Sequence, residues 1–298
     1  MKILSELAII TFLTISMPYN ISADIKDILK AHFEAVGGLE RLSEIRTVKR
    51  SGDAQVTHFG GQPMHMPGTI EAVTTVGKKS YTKRHFEWYS ETTVWNGTEG
   101  WKSTLYDGTT ALSAMELEIA KQRTYITPFQ RSYEQHGSSA FQQGGDETFQ
   151  GKECFVIQII GIEGVENTFY YIDKTSNLLI GIKAPNTDPT FNSDTVIVHY
   201  TDYAKYGGLM FLNSYEVSIG DSELRANYTF TNTEIDVTLD ETIFKKPYDC
   251  AKMAEQNLLY LIILGWRGFR ENPPLHISHS NPFSFQNYAP FFIQFASL

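Results

Sequence analysis

Cysteine is nearly missing from this 298-residue chain, which carries only Cys154 and Cys250. That count excludes a disulfide-dense scaffold, and without a C-x-x-C pair it excludes cysteine zinc sites and thioredoxin-like redox work. Basic residues are in the minority, 25 Lys and Arg against 34 Asp and Glu, for a net charge of −9 and a pI near 5.4. Nucleic-acid binding needs a basic surface that displaces counterions, so no nucleic-acid partner is expected. Long hydrophobic runs are missing too: residues 7–17 and 258–266 both fall short of the ~20 a helix needs to cross a bilayer. The chain has no H-E-x-x-H, no G-x-S-x-G, no phosphate-binding glycine loop and no G-x-G-x-x-G after a strand, and these are the usual marks of metal, nucleophile and nucleotide chemistry. The acidic pairs Asp236 with Asp240 and Glu116 with Glu118 read as solvated strand-end and helix-surface positions. No catalytic residue and no cofactor are expected.

What is present begins with an address. Lys2, the apolar run over 7–17 and Ile21-Ser22-Ala23 have the form of a secretory signal over residues 1–23. The mature protein is therefore expected in the periplasm or another extracytoplasmic space. No cysteine lies near the cleavage point, so nothing indicates a lipid-modified terminus. In an oxidising compartment Cys154 and Cys250 could close a loop worth ~4 kcal/mol in the chain-entropy model. The apolar run from Cys154 to Ile159 also fits a small buried thiol.

Asp24 can cap a helix whose apolar residues Ile25, Ile28, Leu29, His32, Phe33 and Val36 recur at helical spacing, with Gly37-Gly38 as its stop and a short second turn at Leu39, Leu42 and Ile45. From Thr47 the texture becomes β-branched and aromatic with period-two alternation. Twelve strands are expected, near 47–58, 66–76, 79–88, 91–95, 100–106, 146–150, 153–161, 166–173, 178–184, 194–204, 209–219 and 223–236. Turns such as Asn96-Gly97 imply hairpins and an antiparallel sheet. A helical insertion at 112–136 interrupts the strands: Ser113-x-x-Glu116 is a capping box, and Met115, Ile119, Gln122 and Ile126 share one helix face. Thr127-Pro128 should restart a second helix containing Phe129 and Tyr133, so the insertion is a packed cover or a movable lid. Residues 248–298 read as a C-terminal appendage outside the domain.

Several stretches, in order, resemble LolA-like outer-membrane lipoprotein-sorting proteins: Ile28-Leu29 through Gly37-Gly38-Leu39-Glu40-Arg41-Leu42, then Ile45-Arg46-Thr47-Val48 and Gly52. The aromatic-flanked hairpin from Trp95 to Trp101 follows, then Tyr170-Tyr171-Ile172-Asp173 with Leu178-Leu179. Asp202-Tyr203 with Gly207-Gly208-Leu209-Met210-Phe211, and the closing stretch from Asp240 to Pro247, complete the series. The resemblance covers residues 24–247. It implies an α+β fold, a strongly curved antiparallel sheet forming an unclosed β-barrel with helices covering its concave face. It also implies a non-enzymatic periplasmic carrier or binding protein for acyl chains, lipoproteins or another amphipathic ligand, with a membrane-associated donor or acceptor protein as a second partner. No residue maps onto a lipoprotein-carrier ligand contact.

A carrier of this kind needs an apolar cavity. Burying twelve to sixteen methylenes at ~0.8 kcal/mol each yields roughly 10 kcal/mol before ordering costs. The candidate lining residues are the large side chains of the strands and insertion: Tyr81, Phe86, Trp88, Trp95, Trp101, Met115, Ile119, Phe129, Tyr133 and Phe169. Alternation tells which of them share a face, but not whether that face meets a cavity or a filled core. His58, Met64, His65 and Met66 have the donor types for Cu(I), yet Gly60-Gly61 and Pro63 suggest a hairpin loop with separate exposed histidines, and no metal site is expected. A sensor or scaffold domain that binds a protein partner, and an unrecognised hydrolase with residues assembled across distant strands, are the rival functions.

Overall fold

The structure, a computed structural model, describes residues 24–248 except 88, 106, 163–165, 187–190, 221 and 222. The expected signal segment, Trp88, Cys250 and all of the 248–298 appendage except Tyr248 lie outside the described residues.

Helix α1 (Ile25–Val36) starts where Asp24 accepts from the Lys26 N–H at 3.0 Å. It stops where Gly37 takes φ 124° and the Gly38 N–H returns to the Phe33 carbonyl, a left-handed cap only glycine adopts freely. Its buried residues Ile28, Leu29, His32, Phe33 and Val36 are those the spacing singled out. The short α2 (Leu39–Glu44) follows.

The strands β1 (Thr47–Phe59), β2 (Gln62–Thr75), β3 (Lys79–Phe86), β4 (Ser90–Trp95), β5 (Gly100–Thr104) and β6 (Gly108–Ala111) form one meander. The others, β7 (Phe141–Phe149), β8 (Lys152–Ile159), β9 (Phe169–Asp173), β10 (Leu179–Pro185), β11 (Thr195–Tyr206), β12 (Leu209–Ile219) and β13 (Leu224–Ile235), form a second. The β1–β13 pair joins the two meanders into one antiparallel sheet of 13 strands in the order β6-β5-β4-β3-β2-β1-β13-β12-β11-β10-β9-β8-β7. It is an open half-barrel. Two expectations change. Strand β6 was not foreseen, because Gly-Thr-Thr-Ala has almost no apolar signal. Strand β7 begins at 141 instead of 146, because Gly144-Gly145, which looks like a breaker, is a bulge between Gln143 and Gly145.

The insertion follows from this order. The two edge strands, β6 and β7, are successive in the chain, so residues 112–140 must pass from one edge to the other. They do so as α3 (Ala114–Gln122), α4 (Gln130–His136) and a 3-10 turn (Gly137–Ala140). The capping box of Ser113 and Glu116 starts α3 as expected. The second helix begins at Gln130 instead of Thr127, with Phe129 at its N-cap. Helix α1 packs on β12 and β7, and α3 packs on β3 and β4. Both cover the same face of the sheet.

Curvature has a local cause at the central pair. Between Ser51 and Gly52 the β1–β13 register shifts by one residue, and such bulges bend and twist a strand. A Cβ on Gly52 would sit 2.0 Å from the Thr229 carbonyl oxygen and 2.6 Å from the Phe230 Cα, both backbone atoms of the partner strand. Gly52→Ala should therefore destabilise the protein by roughly 2 kcal/mol or more, whereas Ser51→Ala should stay within about 0.5 kcal/mol. Urea unfolding of the two variants checks this; equal midpoints would show that the bend does not depend on the missing side chain.

Candidate functional site

On the helix-covered face the interior is filled at one end and open at the other. At the filled end Phe129 meets His32, Tyr170 and Phe141 edge-on at centroid distances of 5.0, 5.2 and 5.8 Å, and Tyr133 packs on Phe33 at 4.9 Å. At the open end lies a cavity of about 480 Å³, within the ~300–1,000 Å³ range of small-molecule sites. Inward side chains of β1, β2 and β3 and of β10, β11 and β12 form its floor. Met115, Ile119, Gln122 and Ile126 form its roof, the four residues that helical spacing placed on one face.

The roof helix is fastened to the sheet on its other side. Trp95, Leu112 and Ala120 are buried together with Leu117 against them. The Ser80 hydroxyl donates to the Ala120 carbonyl at 3.1 Å, and Lys102 pairs with Glu116. Hydrogen bonding and the Lys102 charge hold the half-buried Glu116 carboxyl below its usual range against the opposing effect of burial, the largest single influence on it.

The expected lining residues divide by position. Met115 and Ile119 line the cavity. Trp95 lies on the same face but under α3, as the seat of the roof. Phe86 is buried at the Met66 and Tyr89 end of the main core, and Phe129 and Tyr133 belong to the filled end. Tyr81 and Trp101 pack with Val73, Val94 and Phe244, and Phe169 packs with Phe149, Cys154 and Tyr171. These two clusters lie on the opposite face, because Tyr81 alternates with the cavity residues Ser80 and Thr82, and Phe169 with Tyr170. Cys154 is fully buried in the second of them, and burial raises its thiol pKa. Among the described residues no group of three His, Cys, Asp or Glu could hold a metal, and His65 hydrogen-bonds Gln55 at 2.8 Å.

The lining that sequence reading missed is polar. Arg50 and Arg84 line the floor and Arg123 lines the roof, among Tyr200, Tyr203 and Tyr215. The signal was available in the inward rows Val48-Arg50 and Ser80-Thr82-Arg84-Phe86, which mix arginine into apolar parity positions. Arg84 pairs with the buried Glu91 at 3.1 Å, and Glu91 also accepts from the Tyr89 hydroxyl at 2.9 Å. Burial lifts the Glu91 carboxyl above its usual range, with Arg84 and Tyr89 pulling the other way. Burial disfavours the Arg84 cation, but the facing Tyr228, Tyr215 and Glu91 outweigh it and raise its pKa. Burial brings Arg50 and Arg123 down to about 10, so both remain cationic at neutral pH. The Arg50 guanidinium lies 3.5 Å from the Phe230 ring centroid and donates to the Leu212 carbonyl.

His32 fastens α1 to the cover. Its Nδ1 is 2.9 Å from the Asn177 carbonyl oxygen and its Nε2 is 3.0 Å from the Thr127 hydroxyl. A carbonyl only accepts, so Nδ1 carries the proton and Nε2 accepts from Thr127. Burial lowers its pKa from 6.5 to about 4, with the Asn177 bond opposing. As pH falls from 6.5 to 4 the unfolded chain takes up a proton that the fold refuses, so the His32 contribution is present above 6.5 and lost through 4. At pH 4.5 this amounts to about 2 to 3 kcal/mol. His32→Gln should remove that part of the difference in unfolding free energy between pH 7 and pH 4.5. An unchanged difference would show that His32 is not the acid-sensitive latch.

No family model matches the chain, and no curated protein sequence matches it. Among solved structures it is similar to a DUF1329 family protein from Desulfovibrio piger, with 12% identity over 72% of this chain and 96% of that one and a TM-score of 0.47. It is also similar to a domain described as an outer membrane lipoprotein-sorting protein from Vibrio parahaemolyticus, with 10% identity, coverage of 74% and 95%, and a TM-score of 0.48. A LolA superfamily protein from Nitrosomonas europaea gives 10% identity, 72% and 97%, and 0.47.

Proposed function

We propose that the protein is a non-enzymatic carrier or binding protein that holds an acyl chain, a lipoprotein's lipid or another amphipathic ligand in the cavity beneath α3. The observation that carries this reading is the cavity of about 480 Å³ between the sheet and a roof of Met115, Ile119 and Ile126. Native interiors are close-packed, so an apolar cleft of this size between sheet and helix supports a bound small-molecule occupant. Each methylene transferred into it contributes ~0.8 kcal/mol, enough for reversible affinity after ordering costs. The proposed location is periplasmic or otherwise extracytoplasmic, which rests on the signal-like residues 1–23. The proposed handover is to a membrane-associated donor or acceptor protein, with α3 moving to admit the chain.

Displacement of a fluorescent fatty-acid probe tests the reading. Ile119→Asp places a charge in the roof and should weaken the probe at least about tenfold, since burying an unpaired carboxylate carries a steep cost. Trp95→Ala should weaken it less, by loosening the seat of α3. Leu105→Ser, at a side chain 45% exposed on the surface, should leave it unchanged. If the unaltered protein carries no lipid in native mass spectrometry and binds no probe, the carrier reading fails.

A further inference from the structure

The cavity carries in its lining three arginines and one carboxylate, Glu166. Arg50 and Arg84 line it from the floor and Arg123 from the roof, and Tyr215 lies within electrostatic reach of all three. The two floor arginines share the inward face but are separated by β2. Arg50 stands opposite Ala72, which stands opposite Thr82, and Arg84 is one inward position further along β3. Glu91 is buried beside Arg84 and engaged by Arg84 and Tyr89, and Glu166 is exposed on the loop before β9. Three buried polar atoms of the lining lack a partner: Arg50 Nε, Arg84 Nε and Gln122 Nε2. All three are donors, two of them on cations. Arginine cations set in a largely apolar lining favour an acceptor-rich, negatively charged group attached to a hydrocarbon.

We propose that the natural ligand is an anionic amphiphile, a hydrocarbon chain ending in a carboxylate or phosphate, whose head is bound by Arg50, Arg84 and Gln122 while its chain lies under Met115 and Ile119. This deepens the carrier reading and rests on it. Arg50 is preset for the task, because Phe230 supports its plane and the Leu212 carbonyl holds one nitrogen, so little side-chain freedom is lost when the anion arrives. Arg123, in reach of Arg84 and Glu91, adds its field from the roof, so the head would also draw α3 down onto the sheet.

The test uses the full-length protein stripped of lipid, titrated with palmitate, hexadecyl phosphate, hexadecanol and inorganic phosphate at pH 8. Palmitate or hexadecyl phosphate should bind about tenfold or more tightly than hexadecanol, the effect of charge-assisted hydrogen bonds, and the preference should fall with Arg50→Gln and return in part with Arg50→Lys. Inorganic phosphate should bind far more weakly than either anion with a tail. Equal affinity for palmitate, hexadecyl phosphate and hexadecanol would overturn the anionic head while leaving the carrier reading intact. Inorganic phosphate binding as tightly as hexadecyl phosphate would overturn the lipid and leave a small-anion site. No binding of any chain would remove the carrier reading itself. Because the ligand comparison is made in the unaltered protein, it decides even if Arg50→Gln does not fold.

Discussion

The connection between the two free edges of one open sheet constrains everything else in this molecule. Pairing β1 with β13 at the centre leaves β6 and β7 as the outermost strands, and only residues 112–140 join them. That segment must cross the mouth of the curved sheet. Once there, it buries an apolar face beneath it or leaves space, and it does both. Phe129 and Tyr133 close one half against α1, and α3 roofs the other half without filling it.

The difference between the halves is chemical. The filled half is made of rings and aliphatic side chains that interdigitate, with His32 kept neutral among them by burial and fixed in place by two hydrogen bonds. In the open half, arginines and tyrosines replace some of the aliphatic residues. A guanidinium cannot be packed against hydrocarbon on all sides without losing its solvation, so Arg50 and Arg84 resist collapse of the space around them. Glu91, the Phe230 ring and the Leu212 carbonyl compensate them only in part. The same residues that keep the cavity from closing give it a sign.

Much of the scaffold was legible locally. Asp24 and Gly37-Gly38 bound the first helix because capping and left-handed termination are decided within a few residues. Gly52, part of the quoted motif series, is the position where β13 comes too close for any Cβ. Met115, Ile119, Gln122 and Ile126 read as one face and are one face. Strand β6 was not legible, since four residues without apolar contrast pair only because β5 is beside them. Among the large side chains, Tyr81 and Trp101 were as good candidates as Met115 by size and hydrophobicity. They lie on the far side because a strand's parity assigns residues to two faces without saying which is enclosed.

The sequence by itself determined the elements, their polarity patterns and the antiparallel, hairpin-linked style of the sheet, because capping, alternation and turn chemistry act over a few residues. Only the tertiary structure decided which face became the inside, which half of it stayed open, and that Arg50, Arg84 and Arg123 meet around one space. Those outcomes depend on the long-range β1–β13 pairing and on the insertion crossing from edge to edge, and the contacts that set them join residues more than a hundred positions apart.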